Sequence, residues 1–288
     1  MYWITVATLL GIYTILTLGL NTITGLAGQI SLGHAAFFGI GAYTSAILTV
    51  KYAWDFWPGL LAAVLAAAAC GALVGVLAIR VREDFLAITT MGVNFVVVNV
   101  FLYFPFFGGA LGIGGMAAPA LFGWSFTKPA YLGLVAAGVL LALGLNLWLM
   151  RSWAGLALLA VREEEDAARA AGVDVRKFKI LAFTIGTGLA GLAGGLYAHF
   201  MTFISHADFD FHFSITVLCM LVFGGIGTNR GAVVGAVLLG VAPEVFRFLA
   251  DYRMLTYGTL LLLLMRFSPQ GLLGDESLLW RALARRAP

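Results

Sequence analysis

Charged side chains are scarce in this chain of 288 residues. Asp, Glu, Lys and Arg together make up 11% of the sequence, whereas 61% of the residues are hydrophobic. An ordinary soluble domain carries roughly a quarter charged residues, so this composition excludes a water-soluble fold, which would lack a polar surface. Cysteine is also rare: Cys70 and Cys219 both lie within apolar runs, and no disulfide framework is expected.

Long apolar runs occupy most of the sequence. They reach the length of about 20 residues that a helix needs to cross the hydrocarbon core. They are continuous and rich in Leu, Ala and Gly, whereas the strands of a membrane barrel are about 10 residues long and alternate apolar with polar side chains. The pattern therefore predicts an all-α, polytopic membrane helical bundle with about nine transmembrane helices, within a range of about eight to ten. The predicted crossings are 2–22, 28–50, 58–79, 85–107, 130–150, 180–204, 213–228, 231–249 and 254–267.

The distribution of Lys and Arg predicts the orientation of the bundle. No cleaved signal is expected, because the first residues lack a basic segment. Thirteen of the seventeen Lys and Arg residues fall in one set of loops, and positive charge is retained on the cytoplasmic side. The N-terminus is therefore predicted outside and the C-terminus inside, and the net charge of +3 reflects topology rather than nucleic-acid binding. The thirteen are Arg80, Arg82, Arg151, Arg162, Arg169, Arg176, Lys177, Lys179, Arg230, Arg266, Arg281, Arg285 and Arg286.

One predicted cytoplasmic stretch, 151–179, interrupts the apolar pattern. Acidic residues at 163–166 crowd the start of a short helix, where negative charge complements the helix dipole. Gly172 follows at a position that favours a left-handed C-terminal cap, and Asp174 can cap the next helix. Links between bundled helices are usually about 2–8 residues, so this longer, capped segment indicates more than a connector.

Alanines give the predicted short helix a face with little side-chain bulk. A solvated connector is the simpler interpretation of a charged run, but a rigid, capped and small-faced helix is typical of a docking element. We therefore predict that 151–179 is a coupling loop and that its short helix contacts a partner. The predicted contact residues are Arg162, Glu163, Glu165, Asp166, Ala167, Ala168, Ala171 and Gly172.

Five sequence blocks carry a resemblance to a known family. The stretch VREEEDAARAAGV, which leads into Phe178, resembles the Glu-Ala-Ala…Gly loop by which permease subunits of ABC importers dock onto their ATPase subunits. The other blocks are GLAGQISLGHAAFFGIGAY at 25–43, GLAGLAGGLYA at 188–198, GGIGTNRGAVVGA at 224–236 and SPQGLLG at 268–274. In this order they resemble the LivM type of high-affinity branched-chain amino acid ABC permease over essentially the whole chain.

The resemblance implies a non-catalytic subunit of an ABC importer. It would form a single transmembrane permease domain over 1–288 in a bacterial inner (cytoplasmic) membrane and move branched-chain amino acids by ATP-driven alternating access. Its implied partners are two cytoplasmic ATPase subunits that bind ATP and Mg, a second related permease subunit and an extracytoplasmic solute-binding protein. No cofactor is expected on this chain, and its lack of a Walker-type glycine loop agrees with an energy source on other chains.

Departures from the family pattern leave the solute open. Asp166 begins the loop motif where Glu is commonest, which preserves an acidic group at the start of the helix. Glu83 stands where a small residue is usual, and the run at 108–115 lacks the polar side chains often found there. Urea or a short amide therefore stays an alternative to branched-chain amino acids.

A second set of residues is predicted to line the translocation pathway. The 25–43 block combines glycines with Gln29, Ser31 and His34, which predicts a broken or irregular helix. Irregular backbone at membrane depth persists only where it is buried in protein or lines a water-filled cavity. Thr89 and Asn94 in the fourth crossing are further candidates, although an interhelical hydrogen bond is the commoner role for such residues.

Titratable groups limit the remaining classes of protein. An ion-coupled secondary transporter needs intramembrane carboxylates, and the sequence places none with confidence deep in a predicted crossing. His and Asp alternate over 206–212 in a predicted outer loop, but the interleaved phenylalanines favour an interfacial segment over a metal site. The sequence shows no nucleophile–base constellation, so no catalytic residue and no metal site are predicted.

Overall fold

The computed structural model of the chain describes residues 1–79, 83–117, 119–121, 124–245, 258–259, 266 and 271–274. Within these residues the chain forms ten α-helices and four strands of two residues each. The helices are α1 Tyr2–Leu20, α2 His34–Lys51, α3 Phe56–Ala78, α4 Glu83–Tyr103, α5 Lys128–Arg151, α6 Trp153–Glu163, α7 Glu165–Ala170, α8 Val175–Met201, α9 Phe211–Gly224 and α10 Asn229–Val245. The strands are β1 Ile113–Gly114, β2 Ala120–Leu121, β3 Trp124–Ser125 and β4 Phe203–Ile204, paired antiparallel as β1 with β4 and β2 with β3.

The described part of the chain is a multi-pass helical bundle. Six of its helical segments are long and apolar enough to cross a membrane, in agreement with the predicted all-α class. They are Tyr2–Leu26, Phe56–Ala78, Phe85–Tyr103, Lys128–Arg151, Val175–Met201 and His206–Gly224. The count of about nine stays a prediction, because the predicted crossing at 254–267 lies outside the described residues except for 258–259 and 266.

Two groups of contacts define the two ends of the bundle, which we name the outer end and the inner end after the predicted orientation. At the outer end, Ile113 of β1 pairs with Ile204 of β4, and Lys51 at the end of α2 donates a hydrogen bond to the carbonyl oxygen of Phe106. At the inner end, α6 and α7 pack beside the beginning of α8. The excess of Lys and Arg near α6 and α7 predicts that this inner end is cytoplasmic.

Helix α8 forms the centre of the bundle and packs against α1, α2 and α3. Gly191 permits a close approach of α3: a Cβ atom added to it would lie 2.6 Å from the carbonyl oxygen of Ala63 and 2.6 Å from the Ala67 side chain. Helix association in lipid depends on van der Waals fit, and small residues let backbones come together. The small-residue face around Gly191 is therefore used for interhelical packing.

The first crossing ends in an irregular segment. Helix α1 continues as a π-helix over Asn21–Leu26, and the chain then leaves helical geometry until α2 begins at His34. Side chains and turns satisfy this backbone: the Leu32 amide donates to Thr90 Oγ1 at 3.0 Å, and the Gln29 amide donates to the Ile23 carbonyl at 3.1 Å. The predicted break is confirmed, but the predicted start of the second crossing at 28 is wrong, because these bonds hold 27–33 outside the helix.

The packing of α8 on α3 generates a stability prediction. Gly191→Ala should destabilise the protein by about 1–3 kcal/mol, because the new methyl group overpacks a filled interface. Thermal unfolding of the purified protein in detergent measures the effect. Gly144→Ala in α5 is the matched control, since its added Cβ meets no atom within 4 Å. Equal losses in both variants would contradict the packing argument.

Candidate functional site

Helix α6 is an amphipathic helix that lies against the inner end of the bundle. It begins after Ser152, whose Oγ accepts a hydrogen bond from the Gly155 amide at 3.3 Å. Its buried side chains, including Leu158 and Val161, join a cluster with Leu26 of the π-helix and Leu149 of α5. The helix is therefore packed onto the break in the first crossing.

Helix α7 is short and has defined ends. Glu165 and Asp166 occupy its first turn, where negative charge is favourable. Gly172 has a φ of 84°, a conformation that favours glycine. The Gly172 amide donates to the Arg169 carbonyl and the Val173 amide to the Ala168 carbonyl, both at 3.0 Å. This pair of bonds is a Schellman cap and confirms the helix end that the sequence predicts.

The start of α7 differs from the prediction. Glu163 is the last residue of α6 rather than part of the acidic first turn of α7. Glu164 separates the two helices with an extended backbone, φ −161° and ψ 112°, and acts as the N-cap of α7 without a side-chain cap bond. The change of direction at Glu164 arises because α6 follows the buried cluster, whereas α7 turns toward α8.

The alanines of α7 face in two directions. Ala168 is buried in the same cluster as Val175 and Phe178 of α8. Ala167, Ala171 and Gly172 are exposed. The predicted small face therefore exists without Ala168, which instead anchors α7 to the bundle because its methyl group fills the contact with α8.

An ion pair joins α7 to α8. Lys179 is only 4% exposed although it carries a charge, and its Nζ contacts Glu165 Oε1. Arg169 adds bonds within α7, to Glu165 Oε2 at 3.1 Å and to Asp166 Oδ1 at 2.6 Å. A buried charge is costly unless it is paired, so the lysine requires α7 to stay against α8.

Asp174 begins α8 in the predicted capping role. One of its carboxylate oxygens accepts from the Lys177 amide at 3.3 Å, and the other lies 3.0 Å from Lys177 Nζ. The hydrogen bonds from the Lys177 side chain and amide lower the pKa of Asp174. The cap is therefore ionised at neutral pH, and the link between α7 and α8 is short and ordered by local bonds.

Arg162 connects α6 to the break in the first crossing. Its Nη1 donates a hydrogen bond of 2.6 Å to the carbonyl oxygen of Gly25 in the π-helix. Nearby, the Gly227 amide donates to Asn21 Oδ1 at 2.9 Å, and Asn21 Nδ2 donates to Asn229 Oδ1 at 3.4 Å. The π-helix is thus bonded both to α6 and to the loop between α9 and α10.

The predicted pathway residues occupy two places. Gln29, Ser31 and His34 lie buried in and beside the irregular segment, where His34 Nε2 is 3.1 Å from the Leu16 carbonyl oxygen. Asn94 is buried on α4 and donates to the Phe209 carbonyl at 3.2 Å, whereas Thr89 is half-buried and donates to the Phe85 carbonyl of its own helix. The hydrogen bonds of the described residues do not join these two groups, so their role in a pathway stays a prediction.

Nearly the whole chain matches one family of membrane permeases. The family model described as "Branched-chain amino acid transport system / permease component" matches residues 2–265. The chain belongs to this permease family. No solved structure gives a significant match to the chain.

Individual relatives agree with the assignment. The chain is similar to the high-affinity branched-chain amino acid transport system permease protein LivM of Escherichia coli strain K12, with 39% identity over 93% of this chain and 69% of that protein. It is 25% identical to a probable LivM of Methanocaldococcus jannaschii, over 93% of this chain and 92% of the relative. It is also 25% identical to the permease protein LivH of Escherichia coli K12, over 91% of each chain.

Two further residues of this permease, Lys179 and Thr90, are structural partners of the site that the sequence does not single out. The charge distribution alone places Lys179 among the cytoplasmic cations, although a lysine in the first turns of an apolar helix is a signal for an internal ion pair. Thr90 rather than its neighbour Thr89 holds the irregular segment. Successive residues of a helix point in directions about 100° apart, so the sequence alone could not choose between them.

The ion pair between α7 and α8 predicts a charge-specific loss. Lys179→Met should lower stability on the order of 1–3 kcal/mol, because the partly buried Glu165 would keep only the exposed Arg169 as a cationic partner. Thermal unfolding of the purified permease complex measures this loss. Glu165→Gln in the Lys179→Met background should recover part of it, whereas the control Lys177→Met, at a side chain 82% exposed, should have little effect. If the stability losses of the single variants at Glu165 and Lys179 add up to the loss of the double variant, a direct ion pair is contradicted.

Proposed function

We propose that this chain is the transmembrane permease subunit of an ABC importer for branched-chain amino acids. Its membership of the permease family and the similarity to LivM proteins support the solute class and the role of the subunit. The chain would act as one permease domain in the bacterial inner membrane. The alternating-access movement would be driven by partner subunits that bind ATP and Mg, and this chain would hold no cofactor and perform no catalysis.

The observation that carries the mechanism is the attachment of α7. The helix is exposed on one side and bonded on the other to α8 through Lys179, while Arg162 at the end of α6 reaches the π-helix of the first crossing. A partner that moves α7 would therefore act on two membrane segments together. This geometry supports α7 as the coupling helix of the permease.

The exposed side of α7 suits a docking surface. Glu163 and Glu164 are exposed just before it and Asp166 in its first turn, and Ala167 and Ala171 leave its outward face small. A cleft of about 550 Å³ lies alongside, lined in part by Trp153, Leu156 and Phe178. A cytoplasmic ATPase subunit would place its surface against this face, because close approach requires side chains as small as alanine.

The remaining partners follow from the same proposal. Relatives named LivM and LivH are both permease proteins, so we propose that this chain pairs with a second, related permease subunit. Two ATPase subunits would bind at the inner end of the pair. A solute-binding protein would deliver the solute at the outer end, where β1 and β4 lie.

Large side chains on α7 should uncouple the transporter. Ala171→Trp and Ala167→Trp should lower ATP-driven uptake by about tenfold or more, because each fills the face that a partner must approach. A tenfold change corresponds to about 1.4 kcal/mol of interaction. Uptake into proteoliposomes and co-purification of the ATPase subunits measure the effect.

The control for this experiment is Ala130→Trp, at an exposed alanine near the outer beginning of α5. It adds the same bulk far from α7 and should leave uptake unchanged. Wild-type uptake and full ATPase retention in both α7 variants would refute the docking assignment.

The solute class and energy source can be tested together. The reconstituted transporter should take up leucine, isoleucine and valine when ATP and loaded binding protein are present, and ionophores should not abolish this uptake. Radiolabelled solutes measure it, with urea and acetamide as the comparison. Faster uptake of urea or acetamide would assign the permease to the amide-transporting alternative, and uptake without ATP would indicate an ion-coupled transporter.

A further inference from the structure

The segment after α8 turns back into the bundle. Helix α8 ends at Met201, and the chain passes through β4 and a 3₁₀-helix at His206–Phe209 before α9 begins. Phe209 is fully buried and its ring lies 5.3 Å from that of Phe38 and 5.8 Å from that of Tyr43. The sequence-based expectation of an interfacial segment is therefore wrong at Phe209, because the ring packs between helices instead of resting on lipid.

A cavity of about 260 Å³ lies beside this re-entrant segment. Aromatic rings of four helices line it: Phe38 is 5.2 Å from Tyr197 and 5.5 Å from Phe213, which in turn is 5.6 Å from Tyr13. Tyr13 stands near the midpoint of the helical run Tyr2–Leu26. The cavity therefore reaches well into the depth of the bundle.

Two carboxylates, Asp208 and Asp210, also line this cavity. Asp208 Oδ2 accepts from the Ser205 amide at 2.8 Å, and Asp210 Oδ1 accepts from the Phe213 amide at 2.9 Å. Each carboxylate thus uses one oxygen atom to cap a helix. Within the described part of the chain, the second oxygen of each has no hydrogen-bond partner, and neither carboxylate forms a salt bridge with Lys or Arg.

The Tyr197 hydroxyl is a third polar group at the cavity. The residue is only 8% exposed, and its hydroxyl makes no hydrogen bond to any residue that the structure describes. A phenolic hydroxyl can both donate and accept a hydrogen bond. Three polar groups with unused hydrogen-bonding capacity therefore meet aromatic walls in one place.

We infer that this cavity holds the α-ammonium group of the transported amino acid against Asp208 and Asp210, with the aliphatic side chain against the aromatic rings. The inference rests on the proposed function, which supplies a solute with one ammonium group and a branched apolar side chain. The α-carboxylate of the solute would point away from the two aspartates.

The chemistry of the walls selects this occupant. Ionised carboxylates within a membrane protein are expensive and call for a cation, and an ammonium group binds both carboxylates and aromatic faces. Apolar walls with a few placed polar groups are typical of small-molecule sites, and about 300–1,000 Å³ suits a drug-sized ligand. A cavity somewhat below this range fits a smaller solute. Urea and short amides carry no ammonium group and would leave the carboxylates unpaired.

The test replaces each aspartate by asparagine, which removes the negative charge but keeps the oxygen that caps the helix. Asn accepts the same capping hydrogen bonds as Asp, so Asp208→Asn and Asp210→Asn should preserve the fold. Leucine uptake is measured in proteoliposomes with the complete transporter and saturating leucine-loaded binding protein. Each variant should lose about tenfold or more in rate, because a charge-assisted hydrogen bond to the solute is lost. Asp210→Glu should recover much of the rate, since it restores the charge.

Controls separate this inference from its alternatives. Asp55→Asn changes an exposed aspartate at the start of α3, outside the cavity, and should leave uptake unchanged. ATP hydrolysis in the absence of binding protein should stay within about twofold of the wild-type rate in every variant, because it reports an assembled transporter.

Three outcomes overturn an assignment. Wild-type leucine uptake in both Asn variants would show that the carboxylates are only caps and would overturn the inference. If Asp210→Glu and both Asn variants all lose leucine uptake and also lose ATP hydrolysis in the absence of binding protein, the two aspartates have a structural role. That result would also overturn the inference. A wild-type transporter that moves no branched-chain amino acid would instead refute the proposed function, on which the inference rests.

Discussion

The hydrocarbon core offers no water to an unpaired amide or carbonyl group, and this constraint shapes the whole chain. Most of the described backbone satisfies it by forming long helices. Where the backbone leaves helical geometry, at 27–33 and at 202–210, side chains and turns supply the missing partners. Thr90 pairs with the first break, and Ser205, Asp208 and Asp210 cap the second.

Each break joins segments that are distant in the sequence. The break after the first crossing is bonded to α6 through Arg162 and to the loop before α10 through Asn21. The second break places polar groups beside a cavity that side chains of four helices line. Irregular backbone thus marks both the place where movement of α7 would reach the membrane and the place where a solute would be held.

Two anchors on different elements make α7 suitable for transmitting force. The pair of Glu165 with Lys179 fixes it to α8, and burial of Ala168 removes the freedom to slide along that contact. Helix α6, which precedes α7, extends the connection to the π-helix through Arg162. A helix held by one surface bond would rotate freely and transmit little, whereas α7 and α6 together contact the central helix and the first crossing.

Local features of this fold could be predicted from the sequence, and contacts between distant segments could not. Long apolar runs predict the helices, and the cap at Gly172 and the cap at Asp174 depend on a few neighbouring residues. The burial of Ala168 depends on where α8 lies, and the burial of Phe209 depends on four other helices. Asp208 and Asp210 were expected in an outer loop because hydropathy alone does not reveal that a polar segment folds back into a bundle.

The central claim is that α7 receives the force of ATP binding. Photo-crosslinking from a benzophenone side chain placed at Ala171, in the assembled transporter, tests it most directly. The account predicts a crosslink to an ATPase subunit whose yield changes when ATP binds. Crosslinks confined to lipid or to this chain, with no ATPase product in either state, would contradict it.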